Sequence, residues 1–182
     1  LYNVYKQITI AFNNGYDHHL IFESLNEPRL AGNKYEWKYQ VGNSICEEAC
    51  DTLNKFNELI VKVIRESGGN NEKRFIMLPA LSANYASSIN SNFVFPDDTK
   101  YNYSNKKLLF SVHMYEPRIF TSNDLENNIF LDEHKDLLFT NLKKLHDKYV
   151  TEGHYIVMGE FGARDKNNAE ERTKWGDYYI RT

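Results

Sequence analysis

Cysteine is scarce in this 182-residue chain, which has only Cys46 and Cys50. They stand four apart in a helical pattern. A disulfide between neighbouring turns of one helix is uncommon, so both are expected as thiols, and they say little about compartment. Long apolar runs are missing too: nothing approaches the roughly 20 residues that a membrane span needs. There is no excess of positive charge; the formal net charge is -3, which excludes a nucleic-acid binder held mainly by phosphate contacts. No Gly-x-Gly-x-x-Gly and no Walker-type lysine loop is present, so a nucleotide-binding fold has no positive support. No low-complexity tract or linker divides the chain, and residues 1–182 read as one domain. The chain opens at Leu1 without a charged, signal-like leader, which reads as a processed front or as an internal piece of something longer. A single Asn-x-Ser match, Asn102-Tyr103-Ser104, is too frequent by chance to establish secretion.

What is abundant is apolar and aromatic. A hydrophobic content of 41% supplies one sizeable core, and 13 Tyr and 11 Phe bring aromatics to 14%. Flat aromatic faces fill cores and also stack on sugar rings.

Residues 1 to about 14 place Val4, Ile8, Ala11 and Phe12 on one helical face, with Asn13-Asn14-Gly15 as the stop. The nearly continuous apolar start of the segment from about 19 to 26 suits a strand covered on both faces, ended by Pro28. A long helix is expected from about 44 to 66. Ser44 and Glu47 form its capping box, and Ile45, Ala49, Leu53, Phe56, Ile60 and Ile64 make its buried stripe. Arg74–Ala80 reads as a second strand. An Asn/Ser-rich stretch follows from 82 to 92, then Phe93–Asp98 as loop with a short helix. Leu108–Tyr115 is a third strand, ended by Pro117. A helix over about 132 to 151 buries Leu138, Leu142, Leu145 and Tyr149. His154–Phe161 is a fourth strand, and a last helix begins near Asn168. Strand and helix alternating in this way describe an α/β fold with a parallel sheet and crossover helices.

Two carboxylates stand where a buried strand gives way to loop: Glu27 and Glu160. Active sites of α/β barrels sit at the C-terminal strand ends, and two facing carboxyl groups are what glycoside hydrolysis requires. A capping or salt-bridging Glu is the plain alternative for either residue alone. Side-chain alternation puts His113 and Tyr115 on one face of the third strand, near its polar end. A tyrosine hydroxyl can orient a carboxylate and a histidine can bond a sugar hydroxyl; two core residues with satisfied polar tips is the other reading. The same alternation predicts that Met158 shares the barrel-facing side with Glu160, while Val157 and Phe161 face the helices. Glu23 shares parity with Glu27 one step deeper and reads as a structural, paired carboxylate. His18-His19 with Glu23 does not match a zinc spacing such as His-Glu-x-x-His, so no metal site is expected. Trp37 suits either a sugar platform at the rim or a packed loop. Glu170–Lys174 reads as a solvated helix face.

Phe22-Glu-Ser-Leu-Asn-Glu-Pro-Arg29, His113-Met-Tyr115 and Gly159-Glu-Phe-Gly162 together resemble three motifs of family 5 glycoside hydrolases, in their correct order. Asn26-Glu-Pro28 followed by Arg29, Gly32 and Glu36-Trp37 looks closest to the endoglucanase and xyloglucanase branch. The resemblance implies a clan A (β/α)₈ TIM barrel, of which this chain covers about half: strands four to seven with their helices. Strands one to three and strand eight, with the family's Arg, its further His and an aromatic platform, have no counterpart. Such a half barrel leaves two sheet edges open, so the segment alone is expected to be inactive and poorly soluble.

By the same resemblance, Glu27 matches the general acid/base and Glu160 the nucleophile. Asn26 matches the residue binding the sugar 2-hydroxyl, His113 a substrate-binding position, and Tyr115 the hydroxyl that steadies the nucleophile. The implied activity is retaining endo-β-1,4-glucanase action on a β-glucan polysaccharide, with no metal or organic cofactor. The whole protein is expected to be secreted, with room for an appended carbohydrate-binding or docking module. Xyloglucanase, mannanase or xylanase activity, or a non-catalytic glycan-binding barrel, are the alternative expectations.

Overall fold

The computed structural model describes residues 1–101, 107–122 and 127–182; the Asn102-Tyr103-Ser104 match lies outside the described residues. Four strands, β1 (Phe22–Glu23), β2 (Ile76–Asn84), β3 (Leu108–His113) and β4 (Tyr155–Glu160), form one sheet in the order β1-β2-β3-β4. Every neighbouring pair is parallel. The connections carry helices α2 (Ser44–Glu66), α3 (Tyr85–Asn90), α4 (Arg118–Thr121) and α5 (Asp132–Leu145); α1 (Tyr2–Ala11) precedes the sheet and α6 (Ala169–Arg181) follows it. This is the repeating strand–helix unit of a parallel barrel, four times over.

Between sheet and helices lies the core. Phe110, Val112 and Met114 from the third strand and its end pack with Phe120, Leu138, Leu145, Tyr149, Trp175 and Tyr179. A second cluster joins Tyr5, Phe22, Ile76, Leu78 and Leu108 to Ile60, Val61, Val63 and Ile64 of α2. Burying each such side chain contributes about 1.5–3 kcal/mol. One face of β3 is therefore committed to the helices, and its alternate residues Ser111 and His113 are left facing the other way.

Several local expectations are corrected. The first strand is two residues, not eight; it pairs with β2 only at Phe22 and Glu23 among the described residues. The carbonyl of Leu20 accepts from Arg74 Nη1 instead of a strand partner. Ile21 is exposed, so this strand is not covered on both faces. Helix α1 buries Tyr5 and Thr9, while Val4 and Phe12 are exposed. Tyr5 turns that face inward by donating its hydroxyl proton to the carbonyls of Glu23 and Ser24. The cap of α2 is Asn43, whose side-chain oxygen accepts from the backbone of Ile45 and Cys46, each at 3.2 Å; Ser44 is already helical. The buried stripe of α2 runs through Cys46, Cys50, Leu53, Asn57, Ile60 and Ile64. Ile45 and Phe56 are exposed and line a groove with Leu30, Ala49 and Leu53.

β2 extends to Asn84, through a break in its pairing with β3 between Pro79 and Asn84. The Asn84 side chain then caps α3 by accepting from Ser87 N at 2.8 Å. No helix forms within 93–98; a single 3₁₀ turn lies just beyond, at Thr99–Tyr101. Cys46 and Cys50 are buried and unbridged, and burial pushes the Cys50 thiol up.

Candidate active site

Glu27 follows β1 on backbone bent into the left-handed region, φ 44°. A side chain with a Cβ pays for that conformation, and several contacts hold it. Ser82 N donates to Pro28 O at 2.7 Å, and Arg29 Nη1 donates to the Glu27 carbonyl at 3.2 Å. Arg29 is itself fixed by Glu36 at 2.9 Å and lies over the Trp37 ring at 4.5 Å. Glu36 also accepts from Gly32 N, which with Arg29 holds its carboxyl below the usual range. The residues after Glu27 thus form a small scaffold that aims it.

His113, 3% exposed at the end of β3, sits between the two carboxylates. Its Nδ1 is 3.0 Å from Glu27 Oε1 and 3.4 Å from Glu160 Oε2. Oxygens of Glu27 and Glu160 lie within 4.8 Å of each other. Tyr115 donates its phenolic proton to Glu160 Oε2 at 2.6 Å. That bond, reinforced by partial burial and the negative charge of both glutamates, pushes Tyr115 up to about 12, so the phenol keeps its proton across the neutral range. One step deeper, Ser111 Oγ donates to Glu23 Oε1 at 2.5 Å, giving Glu23 the paired position expected of it.

Glu160 reaches this cluster through a bulge. Ser111 pairs with Val157 and Val112 with Met158, but His113 pairs with Glu160, so Gly159 is an extra residue in β4. The expected alternation is overturned for two residues. Met158 faces the helices, where Tyr179 Oη approaches its Sδ at 3.7 Å, and Val157 shares the face of Ser111. Phe161 does turn to the helices, stacked on Tyr179 with centroids 4.9 Å apart. Bulges next to active sites re-aim side chains in this way. A Cβ on residue 159 would lie 3.2 Å from His113 Nε2 and 3.3 Å from Ser111 Oγ.

The cluster opens on a cleft of about 590 Å³ lined by Glu27, Trp37, Ser82, Asn84, His113, Tyr115, Arg118, Thr121 and Ser122. Trp37 is 47% exposed on its wall. Asn26 is exposed and does not line this cleft. His18 and His19 group with Asp17 on the surface, away from Glu23. Ser82, Asn84 and Arg118 carried no signal in the sequence. Ser82 is placed by its own positive φ of 57° and by a 2.7 Å bond from Oγ to Glu36 O, and Asn84 Nδ2 donates to Trp37 O at 3.1 Å.

The chain matches the family Cellulase (glycosyl hydrolase family 5) over residues 2–182. It is 37% identical over 183 residues to Endoglucanase A of Clostridium longisporum, covering 99% of this chain and 33% of that protein. Among solved structures, a glycoside hydrolase 5 lichenase from Caldicellulosiruptor sp. F32, in a mutant form complexed with cellotetraose, superposes with a TM-score of 0.91 at 34% identity. That match covers 99% of this chain and 49% of the lichenase. A GH5-4 broad specificity endoglucanase from Clostridium acetobutylicum superposes with a TM-score of 0.85 at 36% identity, over 99% of this chain and 51% of that one. The chain therefore spans a third to a half of the length of these relatives, and its four parallel strands are half of a (β/α)₈ barrel. With a family match along nearly its whole length, the chain belongs to the cellulase family, glycosyl hydrolase family 5.

Proposed function

We propose that this chain contributes the two catalytic carboxylates of a retaining endo-β-1,4-glucanase. The observation that carries the reading is the approach of Glu27 and Glu160 to within 4.8 Å. Retaining glycosidases hold their carboxyl groups about 5–5.5 Å apart, whereas inverting ones leave about 6.5–9.5 Å for a water. Glu160, steadied by the Tyr115 hydroxyl, attacks the anomeric carbon as the bond to the departing glycosidic oxygen breaks, and Glu27 gives that oxygen its proton. Water then releases the sugar from Glu160, with Glu27 taking the water's proton. Asn26 binds the sugar 2-hydroxyl and His113 contacts the substrate. The cleft wall at Trp37 offers an aromatic face to the chain being cut.

The relatives support β-linked glucans as substrate: they are named as endoglucanases and a lichenase, one of them complexed with cellotetraose. A polymer of this kind cannot enter a cell, so the whole protein acts outside it, and its additional length leaves room for appended binding modules. The test uses the longer protein that carries this segment. Reducing-sugar release from carboxymethylcellulose, mixed-linkage glucan, xyloglucan, mannan and xylan identifies the substrate, and the anomer formed first, read by NMR, identifies the stereochemistry. Glu160→Gln is expected to abolish hydrolysis and keep glycan binding. Activity unchanged by that substitution, or an inverted first product, would overturn the reading.

A further inference from the structure

Asn84, half-buried at the end of β2, divides its side chain between two elements. Its Oδ1 accepts from Ser87 N at 2.8 Å and caps α3, while its Nδ2 donates to the Trp37 carbonyl at 3.1 Å. We propose that Asn84 is a positioning residue for substrate choice: by holding the backbone of Trp37, it sets where the indole meets the sugar that departs. This rests on the glycosidase reading and adds to it a residue that acts through another.

The bond to Trp37 is one of three. Ser82 N donates to Pro28 O and Ser82 Oγ to Glu36 O, both at 2.7 Å. All three acceptors are backbone carbonyls of the loop between β1 and α2, and all three donors come from the end of β2. The donors reach that loop because β2 breaks its register with β3 between Pro79 and Asn84, and Ser82 and Ala83 both lie in the left-handed region, φ 57° and 49°. Residues with a Cβ adopt that conformation only where their surroundings hold it. After the bend, Asn84 returns to pairing opposite His113, so it ties the loop to the strand that carries the catalytic histidine. Every partner in this network comes from β1, β2, β3 and the loops that follow them, so the arrangement does not depend on strands outside the chain. The cleft lining sets the direction. Glu27, which protonates the departing oxygen, lines the cleft together with Trp37 and Asn84, and Glu160 does not. Arg29 lies over the Trp37 ring at 4.5 Å, and the residue is still 47% exposed. Its free surface is therefore an aromatic wall on the leaving-group side.

The test uses the longer protein and two substrates with the same cellobiosyl donor. Cellotetraose loses cellobiose; β-cellobiosyl fluoride loses fluoride and has no departing sugar to set against Trp37. In both, Glu160 bonds to the anomeric carbon as the bond to the leaving atom breaks, and kcat/KM reports that step. Asn84→Ser keeps an oxygen suited to capping α3 and removes the donor without adding charge. It is expected to lower the ratio of kcat/KM, cellotetraose over fluoride, by at least about fivefold. Made in Trp37→Ala, the same substitution is expected to change the ratio by less than about twofold, because its effect passes through that ring. Asn84→Asp, which keeps both the shape and the capping oxygen, is the second variant should the serine one fail to fold. An unchanged ratio in a folded variant overturns the proposal, and so does an equal loss on both substrates. A loss that persists in Trp37→Ala also overturns it, since Asn84 would then act on the substrate or on Glu27. Wild-type protein inactive on both substrates sinks the glycosidase reading and this inference with it; active wild type with an unmoved ratio sinks this inference alone.

Discussion

Removing Asp98, far in the chain from the candidate catalytic residues, should be costly to stability. Its carboxylate accepts two bonds from Arg65, from Nε and Nη2, each at 2.8 Å, and both side chains are fully buried. Arg65 Nη1 also donates to the carbonyls of Asn71 and Arg74. Asp98→Ala deletes the countercharge that accepts from Nε and Nη2 and leaves the buried guanidinium beside the carbonyls of Asn71 and Arg74. Breaking a buried pair from one side costs about 3–5 kcal/mol, a large part of the 5–15 kcal/mol typical of a domain. With a urea dependence of about 2 kcal/mol/M, the midpoint should fall by roughly 1.5–2.5 M. The assay is urea unfolding followed by circular dichroism at low micromolar concentration. Two controls isolate the cause. Glu58→Gln, which breaks the exposed pair with Lys100 at 3.1 Å, should cost less than about 1 kcal/mol. The double variant R65M/D98L, which replaces both charges with apolar groups, should recover most of the loss. A midpoint shift below about 0.5 M for Asp98→Ala would refute the reasoning that ties the 93–98 loop to α2 through this pair.

Three further outcomes follow from the same structure. Tyr115→Phe removes the 2.6 Å bond to Glu160 without removing the ring, and in the longer protein kcat should drop about 10²-fold with little change in KM; an unchanged kcat would remove Tyr115 from the machinery. Gly159→Ala puts a methyl 3.2 Å from His113 Nε2, so it should lower kcat/KM far more than it shifts the urea midpoint, and equal effects on both would count against the bulge as a positioning device. Alkaline pH should unfold the chain through its buried phenols. Burial raises Tyr5 to about 12 and also raises Tyr149 and Tyr179. Their unfolded values lie near 10, so the unfolded state loses protons first; the stability they contribute is complete below about pH 10 and declines as pH rises toward 12. Absorbance at the tyrosinate band should rise in one early step for exposed tyrosines and a later step coincident with unfolding. A single early step would contradict the burial.

The alternation of strand and helix was legible from the sequence because it is a local property. Hydrophobic periods, glycine stops and strand-ending prolines need only near neighbours in the chain. The acidic residues at or just past strand ends and the histidine at the end of β3 were legible as candidates from residue type and position. Alternation did not place them all: β3 ends at His113, two residues before Tyr115, β1 ends at Glu23, four before Glu27, and a bulge precedes Glu160. Local periodicity did not tell which face of α1 turns inward, since Tyr5 is drawn there by carbonyls of residues 23 and 24. It did not reveal the shortened β1, which pairs with β2 only at Phe22 and Glu23, while the carbonyl of Leu20 is taken by Arg74. Nor did it reveal Arg74, fully buried and donating to backbone carbonyls of Phe12, Tyr16, Asp17 and Leu20.

By itself, then, the sequence determined the order of elements and the residue types placed at the strand ends. Only the tertiary structure decided that Gly159 is an extra residue opposite His113, which sends Met158 to the helices and Glu160 to the cluster. The reason is physical: a bulge is a mismatch between two strands, and its register depends on the partner strand as much as on the residues that carry it.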